Sequence, residues 1–213
     1  MNRYQIIREI GEGTTSQVYQ AENEEGNLVA LKVFSSSSRE TAWSGKEETR
    51  LLKQLHHPNI LTIYDYIATP RPTIVMEYID GCSLEARLHR KGPLYGRTAL
   101  SLLKTLSEAM VHAHSKGVFH GDLSPKNILL RNEDPFQPII CDFGLSQKGT
   151  KEADISALLT IYSFVGTQNP FPINIENPTL QSLIRDCTAG LSETPYLSKP
   201  KTKNHKFGFF GKS

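Results

Sequence analysis

Two aspartates lie in short segments whose residue types could serve phosphoryl transfer. Asp122 lies in residues 120–127, which read HGDLSPKN, and Asp142 begins the tripeptide Asp-Phe-Gly. This chemistry needs an acceptor hydroxyl held in line and divalent cations that neutralise phosphate charge. Asp122 could accept or orient the hydroxyl proton, while Asp142 and Asn127 could supply the oxygen ligands that Mg²⁺ prefers. Each has a structural explanation too, since Asp-Phe-Gly is a common turn and Asp122 could cap a loop. We interpret His120 as a packed core histidine.

A glycine-rich segment and a lysine could hold the phosphates. Residues 11–18 (GEGTTSQV) lie between two predicted strands, and glycines let a backbone approach phosphate oxygens and offer amide donors. A hairpin turn would need glycines as well. Lys32 ends the apolar run VALK, from which its ammonium could reach phosphates under the glycine loop. Glu48 on the following helix is a candidate partner and Glu47 is the competing candidate, while either could be only a surface charge.

Alternating and helical patterns predict the elements that position these residues. The first part of the chain is rich in β-branched and aromatic runs, whereas the second part has apolar residues at helical spacing, and the boundary lies near Asp80. The predicted strands are 4–7, 18–19, 28–34, 60–67, 72–78, 127–130 and 138–141. The predicted helices are 39–55, 99–113 ended by Gly117, one that begins at Asp154 and is ended by Pro170 and Pro172, and 179–187.

Composition restricts the class of protein. The chain has 213 residues, 38% hydrophobic and 22% charged, which is typical of a folded soluble protein. A net charge of +2 gives no argument for a nucleic-acid partner. Cys82, Cys141 and Cys187 form no CxxC pair, so reduced intracellular thiols are expected. No apolar run could span a bilayer and no signal peptide is found. We expect a cytoplasmic protein, and export into a host cell as an effector is an alternative.

Together these segments resemble the signature motifs of eukaryotic-like protein kinases. The glycine loop, VALK, the helix glutamate, HPNI at 57–60, VMEY at 75–78, the segment 120–127 and Asp-Phe-Gly follow in the family's order. The resemblance covers roughly residues 4–190. It implies a two-lobed α+β fold with a small antiparallel β-sheet N-lobe, one main helix in that lobe, and a shortened, mainly helical C-lobe.

The resemblance also implies domain limits and cofactors. The expected kinase domain spans 1–198, with its N-lobe at about 1–79 and its C-lobe at about 80–198, followed by a basic tail at 199–213. ATP is the expected nucleotide, and Mg²⁺ is the expected metal ion, for which Mn²⁺ could substitute. The residues expected to bind ATP are Gly11, Glu12, Gly13, Ser16, Val18, Ala30, Lys32, Glu48, Met76, Glu77, Ile79 and Leu129.

Individual roles follow from the same resemblance. Lys32 would contact the α and β phosphates and pair with Glu48, and Asp122 would be the catalytic base. Asn127 and Asp142 would bind Mg²⁺, and Asp154 would anchor residues 120–127, here called the catalytic loop. The adenine contacts would come from Val18, Ala30, Leu129 and Met76, and the hinge hydrogen bonds from the backbones of Glu77 and Ile79.

The chain departs from the family in four places. Ser16 replaces the third loop glycine, and Gly121 replaces an arginine that normally pairs with an activation-loop phosphate. Ser124 replaces a lysine that steadies the γ-phosphate, and Lys126 is expected to substitute as a catalytic residue. Only 11 residues, 143 to 153, separate Asp142 from Asp154, and no Ala-Pro-Glu lies among them. Switching by phosphorylation of the activation loop is therefore not expected.

Three functions remain open at this stage. The first is a protein kinase for serine and threonine hydroxyls rather than tyrosine, with an unknown protein substrate. The second is a small-molecule kinase, because His-Gly-Asp also occurs in aminoglycoside and choline kinases. The third is a nucleotide-binding pseudokinase scaffold. The tail 199–213, with five lysines and three phenylalanines, could contact anionic surfaces or a partner, or could be a solvated end.

Overall fold

The computed structural model describes residues 3–36, 39–143, 149–165 and 178–193, without the side chains of 39–44 and 48. Its elements in chain order are β1 (Tyr4–Glu12), β2 (Ser16–Asn23), β3 (Leu28–Phe34), α1 (Arg39–Leu52), β4 (Ile63–Ile67), β5 (Thr73–Glu77), β6 (Gly81–Ser83), α2 (Leu84–Lys91), α3 (Gly96–Ser115), a 3₁₀ turn (Pro125–Asn127), β7 (Ile128–Arg131), β8 (Pro138–Ile140), α4 (Lys151–Val165) and α5 (Leu180–Glu193).

The first five strands form an antiparallel sheet in the order β1-β2-β3-β5-β4. The turn between β2 and β3 follows from Asn23, whose Oδ1 accepts hydrogen bonds from the amides of Glu25 and Asn27 at 3.1 and 2.8 Å. Successive residues of a strand point to opposite faces. Ala30 and Lys32 of β3 therefore share one face of the sheet, which is the face that the site needs.

The second part of the chain combines helices with a small sheet of order β6-β7-β8. Helix α3 buries one apolar face, because its apolar residues recur at helical spacing. The buried members include Leu102, Leu103, Leu106, Met110 and Ala113. They belong to the same apolar cluster as Phe34, Ile63 and Ile74 of the first sheet. One core therefore joins the sheet to the helices, and the two-lobed α+β fold is confirmed.

Several element boundaries differ from the predicted ones. Helix α1 ends at Leu52 instead of residue 55, and α4 begins three residues before Asp154 because the Thr150 hydroxyl accepts the amide hydrogen of Ala153 at 3.1 Å. Helix α5 extends past residue 187 to Glu193. Helix α4 ends at Val165, while Pro170, Pro172 and the tail 199–213 lie outside the described residues.

Two elements were not predicted at all, β6 and α2. Strand β6 has only three residues, and α2 is polar, with Leu84 and Leu88 as its buried residues. The helix starts because the Ser83 hydroxyl accepts the amide hydrogen of Ala86 at 3.1 Å. Within the described ranges, no helix is long and apolar enough to cross a membrane.

Gly81 at the start of β6 allows the sharpest prediction about stability. A Cβ atom there would lie 1.9 Å from the carbonyl oxygen of Leu130, so the two backbones could not keep their positions. We expect Gly81→Ala to lower the free energy of unfolding by about 3 kcal/mol or more in urea titrations. Gly26→Ala is the control, because Gly26 has a φ of +82° and its Cβ would meet only the flexible Glu22 side chain at 3.6 Å. The control should lose about 1–2 kcal/mol, and equal losses would contradict the prediction.

Candidate functional site

A cavity of about 320 Å³ brings together most of the predicted site residues. Its walls come from the glycine loop, the inner face of the first sheet and the segments around β7 and β8. The predicted residues that line it are Gly11, Glu12, Gly13, Ser16, Val18, Lys32, Met76, Lys126, Asn127, Leu129 and Asp142. Motifs that are far apart in the chain therefore face one space.

Lys32 and Asp142 form a short charged contact in this cavity. The Nζ atom of Lys32 donates a hydrogen bond to Oδ1 of Asp142 at 2.6 Å. Burial raises the pKa of the Asp142 carboxyl, but the charge and the hydrogen bond of Lys32 outweigh it, so the pKa lies below its usual value. Asp142 has a φ of 62°, an uncommon backbone conformation of the kind that concentrates at functional sites. The carboxylate is therefore charged and held toward the lysine.

The catalytic loop presents Asp122 with two neighbours. The Asn127 side-chain amide donates to the carbonyl oxygen of Asp122 at 2.8 Å, and Nζ of Lys126 lies 3.4 Å from its Oδ2 atom. The side chains of Asp122 and Lys126 are 48% and 57% exposed, so both are open to a substrate. Asn127 is buried, and its donated hydrogen bonds leave the amide oxygen as an acceptor for a cation. Asp122 itself does not line the cavity among the described residues but stands beside it.

Asp154 of α4 fixes the backbone of the catalytic loop. Its Oδ2 accepts the amide hydrogen of His120 at 2.9 Å and its Oδ1 that of Gly121 at 3.0 Å. Nε2 of His114 lies 2.8 Å from Oδ2. Asp154 is only 1% exposed. Burial raises the pKa of its carboxyl, but these hydrogen bonds together lower it by more, so the net shift of the pKa is downward. The position expected for this anchor is the one observed.

His120 is a packed histidine, as its position in the sequence indicated. It is fully buried, and its ring lies 4.6 Å from that of Phe143, measured between centroids. Nδ1 accepts the amide hydrogen of Asp122 at 3.2 Å, and Nε2 donates to the carbonyl of Cys141 at 3.0 Å, which is the pattern of a neutral imidazole. Burial lowers the pKa of His120. The ring therefore supports both aspartate segments and takes no proton.

Of the predicted ATP-binding residues whose side chains the structure describes, Ala30, Glu77 and Ile79 are not among those lining the cavity. Ala30 is buried on β3 and pairs with Met76 of β5. The amide of Glu77 donates to the carbonyl of Thr62 at 2.9 Å, and its side chain accepts from Arg131 at 2.7 Å. The hinge roles of Glu77 and Ile79 stay predictions.

The partner of Lys32 on α1 also stays a prediction. Glu48 lies on α1, but its side chain is outside the described part of the structure. The carboxylate of Glu47, the competing candidate, accepts a hydrogen bond from Arg50 at 2.9 Å. The carboxylate of Glu47 is therefore paired with Arg50 on α1.

Sequence reasoning predicted Val18, Met76 and Leu129 on the apolar wall of the cavity but missed the rest of that wall. The additional lining residues are Ile10, Leu52, Leu61, Ile63, Ile74, Cys141 and Phe143. Their signal was weak, because apolar strand and helix residues look alike whether they face a ligand or a core. Burial raises the pKa of the Cys141 thiol to about 12, so this group is neutral and not a nucleophile.

The arrangement combines an apolar compartment with a charged end. An aromatic base fits the first, and phosphates fit the second, where an ammonium, an amide and carboxylates meet. A carboxylate and an amide oxygen match the ligand preference of Mg²⁺, which usually keeps waters and phosphate oxygens as further ligands. The described residues hold no group of three or more His, Cys, Asp or Glu that could bind a metal by themselves.

Comparison with known proteins agrees with this arrangement. The family model for the protein kinase domain matches residues 4–171. The probable serine/threonine-protein kinase PknB of Lactococcus lactis is 32% identical over 187 residues, which are 85% of this chain and 29% of the relative. The CBL-interacting serine/threonine-protein kinase 24 of Arabidopsis thaliana is 35% identical over 151 residues, 68% of this chain and 33% of the relative. The chain therefore spans about a third of the length of these curated relatives.

A solved structure gives independent support for the fold. The crystal structure of Rad53 1–466 in complex with AMP-PNP superimposes with a TM-score of 0.67 at 22% identity, over 90% of this chain and 57% of that one. The match of the family model covers most of the sequence, and the matched segment holds the glycine loop, Lys32, the catalytic loop and Asp142. The chain belongs to the protein kinase domain family.

Proposed function

We propose that the chain transfers the γ-phosphoryl group of ATP to serine and threonine hydroxyls of a protein substrate. The observation that carries the proposal is the 2.6 Å contact between Lys32 and Asp142 inside a cavity that also includes Lys126 and Asn127. The likeness to relatives named serine/threonine-protein kinases supports this class of acceptor. The small-molecule kinase and the scaffold have no comparable support.

ATP binding divides between the two ends of the cavity. The adenine ring occupies the apolar end, between Val18, Ala30 and Leu129. The glycine loop covers the phosphates, and Lys32 binds the α and β phosphates in exchange for part of its contact with Asp142. Mg²⁺, for which Mn²⁺ could substitute, would be held by Asp142 and Asn127 and would neutralise charge on the phosphates.

Transfer depends on groups at the open side of the cavity. Asp122 orients the substrate hydroxyl and accepts its proton, because its exposed carboxylate stands beside the charged end. Lys126 stabilises the charge on the transferred phosphoryl group, in the role that Ser124 cannot fill. The segment between Asp142 and Asp154 needs no phosphate in this proposal, because the arginine that would receive it is replaced by Gly121.

We also propose that the protein acts in the cytoplasm on a protein partner. The three cysteines are free thiols, which suits a reducing compartment. The basic tail, with Lys199, Lys201, Lys203, Lys206 and Lys212, would add contacts to an anionic surface or partner. Fractionation of cells that express the full chain, with and without residues 199–213, would test both points.

Asp122→Asn tests the proposed reaction most directly. We expect the purified chain to transfer ³²P from γ-labelled ATP with Mg²⁺ to dephosphorylated casein or to itself, on serine and threonine. The substitution should lower kcat by about 10²–10⁴-fold, because the proton acceptor is lost, while ATP affinity measured by calorimetry stays about the same. Asp65→Asn, which removes an exposed carboxylate 3.7 Å from Lys53, is the control. Equal transfer by Asp122→Asn would refute the assigned base, and transfer only to aminoglycosides or amino alcohols would identify a small-molecule kinase.

Lys126→Ala tests the assigned phosphate contact. Removing this cation should lower kcat by roughly 10²-fold, the usual cost of losing one group that stabilises the transition state. The KM for ATP should change little, and Lys126→Arg should retain part of the rate. Lys53→Ala removes an exposed lysine of another ion pair and should keep the wild-type kcat. An unchanged kcat in Lys126→Ala would remove Lys126 from the mechanism.

Asp154→Asn tests the anchor through its pH dependence. The pKa of Asp154 is lower in the folded chain, so its stabilising effect is complete above the ordinary aspartate pKa of about 4. It is lost as the pH falls through the lower folded value. Urea titrations should show wild type more stable than Asp154→Asn by roughly 2 kcal/mol at pH 7, with a gap that shrinks below pH 4. A gap that is constant from pH 7 to pH 3 would contradict the assignment.

A further inference from the structure

Gly149 lies directly against the backbone of the catalytic loop. A Cβ atom on Gly149 would lie 2.9 Å from the amide nitrogen of Gly121, 2.9 Å from Cβ of Phe119 and 3.0 Å from Cα of Gly121. Two of these three neighbours are backbone atoms, which cannot turn aside as the end of a side chain can. Only glycine fits at position 149 while the loop keeps its place.

The backbone conformation at Gly121, the other residue of this contact, also favours glycine. Gly121 has a φ of 79°, which lies in the left-handed region that L-residues adopt at a cost. Its amide donates to Oδ1 of Asp154 at 3.0 Å, so the conformation is part of the anchor. An arginine at position 121 would meet this backbone strain.

Gly149 is itself held in place from its C-terminal side. The next residue, Thr150, caps α4, and its carbonyl oxygen accepts the amide hydrogen of Asp154 at 3.2 Å. The first turn of α4 therefore carries the carboxylate that bonds the loop, and the glycine that packs on the loop lies two residues before this helix. The loop backbone is held by the hydrogen bonds that the amides of His120 and Gly121 donate to Asp154 and by the packing of Gly149 on Gly121.

We propose that Gly149 is a positioning residue that holds the catalytic loop in its working geometry through Gly121, so that Asp122 is in place without any phosphorylation. The inference rests on the proposed function. It connects two departures from the family, the glycine at position 121 and the short segment between Asp142 and Asp154, because Gly149 of that segment packs on Gly121. A permanent backbone contact takes the place of a contact between an arginine and a phosphate.

Steady-state kinetics of glycine variants test this inference in the full chain. Gly149→Ala and Gly121→Ala should each lower kcat by about 10-fold or more, because a displaced loop misplaces Asp122. The KM for ATP should stay within about 2-fold, since Lys32 and the glycine loop are untouched. The double variant should lose little more than either single variant, as expected for two residues of one contact. Gly92→Ala is the matched control, because Gly92 has a φ of +75° and its Cβ would meet no atom within 4 Å.

Two further measurements separate this inference from the proposed function. Hydrogen exchange of a peptide that contains His120 and Gly121 should become faster in Gly149→Ala and not in Gly92→Ala, whether or not any acceptor is phosphorylated. Wild type treated with a phosphatase, which is then removed, should keep its kcat. Unchanged exchange, a wild-type kcat in Gly149→Ala, or a 10-fold loss after phosphatase treatment would each overturn the inference. Absence of any transfer by wild type would refute the proposed function and leave the exchange result to decide this one.

Discussion

The site depends on one buried carboxylate, that of Asp154. It is 1% exposed and lies within hydrogen-bonding distance of His120, Gly121 and His114. A buried charge without partners would be costly, so these hydrogen bonds are what allow it to stay ionised. In return they join α3, the catalytic loop and α4 into one unit. The position of Asp122 follows from this unit, because the residue comes next after the two anchored amides.

The charged end of the cavity is a second unit that depends on the first. Lys32 contacts Asp142, and Lys126 lies near Asp122, so each carboxylate has a cation beside it. The Lys126 pair is half-exposed, so it contributes little to stability and its geometry can adjust to a ligand. Phe143 is 1% exposed and packs against His120, and this packing fixes the backbone at the preceding residue, Asp142. The carboxylates therefore take their places from buried packing, and their charges remain available to a divalent cation or a hydroxyl group.

The sequence predicted what depends on local chemistry and order. The motifs identified Lys32, Asn127 and Asp142, which line one cavity, and Asp122, which stands beside it. The apolar run that ends at Lys32 lies in β3, whereas the face on which Lys32 lies came from the structure. Helix α2 was missed because its helical start depends on the Ser83 hydroxyl and only two of its residues are buried. The need for glycine at position 149 could not be seen either, since it arises from contact with a loop that is distant in the chain.

A contact made by backbone atoms has a consequence for control. An arginine that binds an activation-loop phosphate has two states, with and without the phosphate, and their balance can be changed by adding or removing that phosphate. Gly149 and Gly121 offer no side chain to modify, and Asp154 holds the same backbone from inside the core. An element with one accessible arrangement cannot act as a switch, because a switch needs two. Under the proposed function, control of the chain would then act on ATP, on access of the protein substrate, or on the amount of protein.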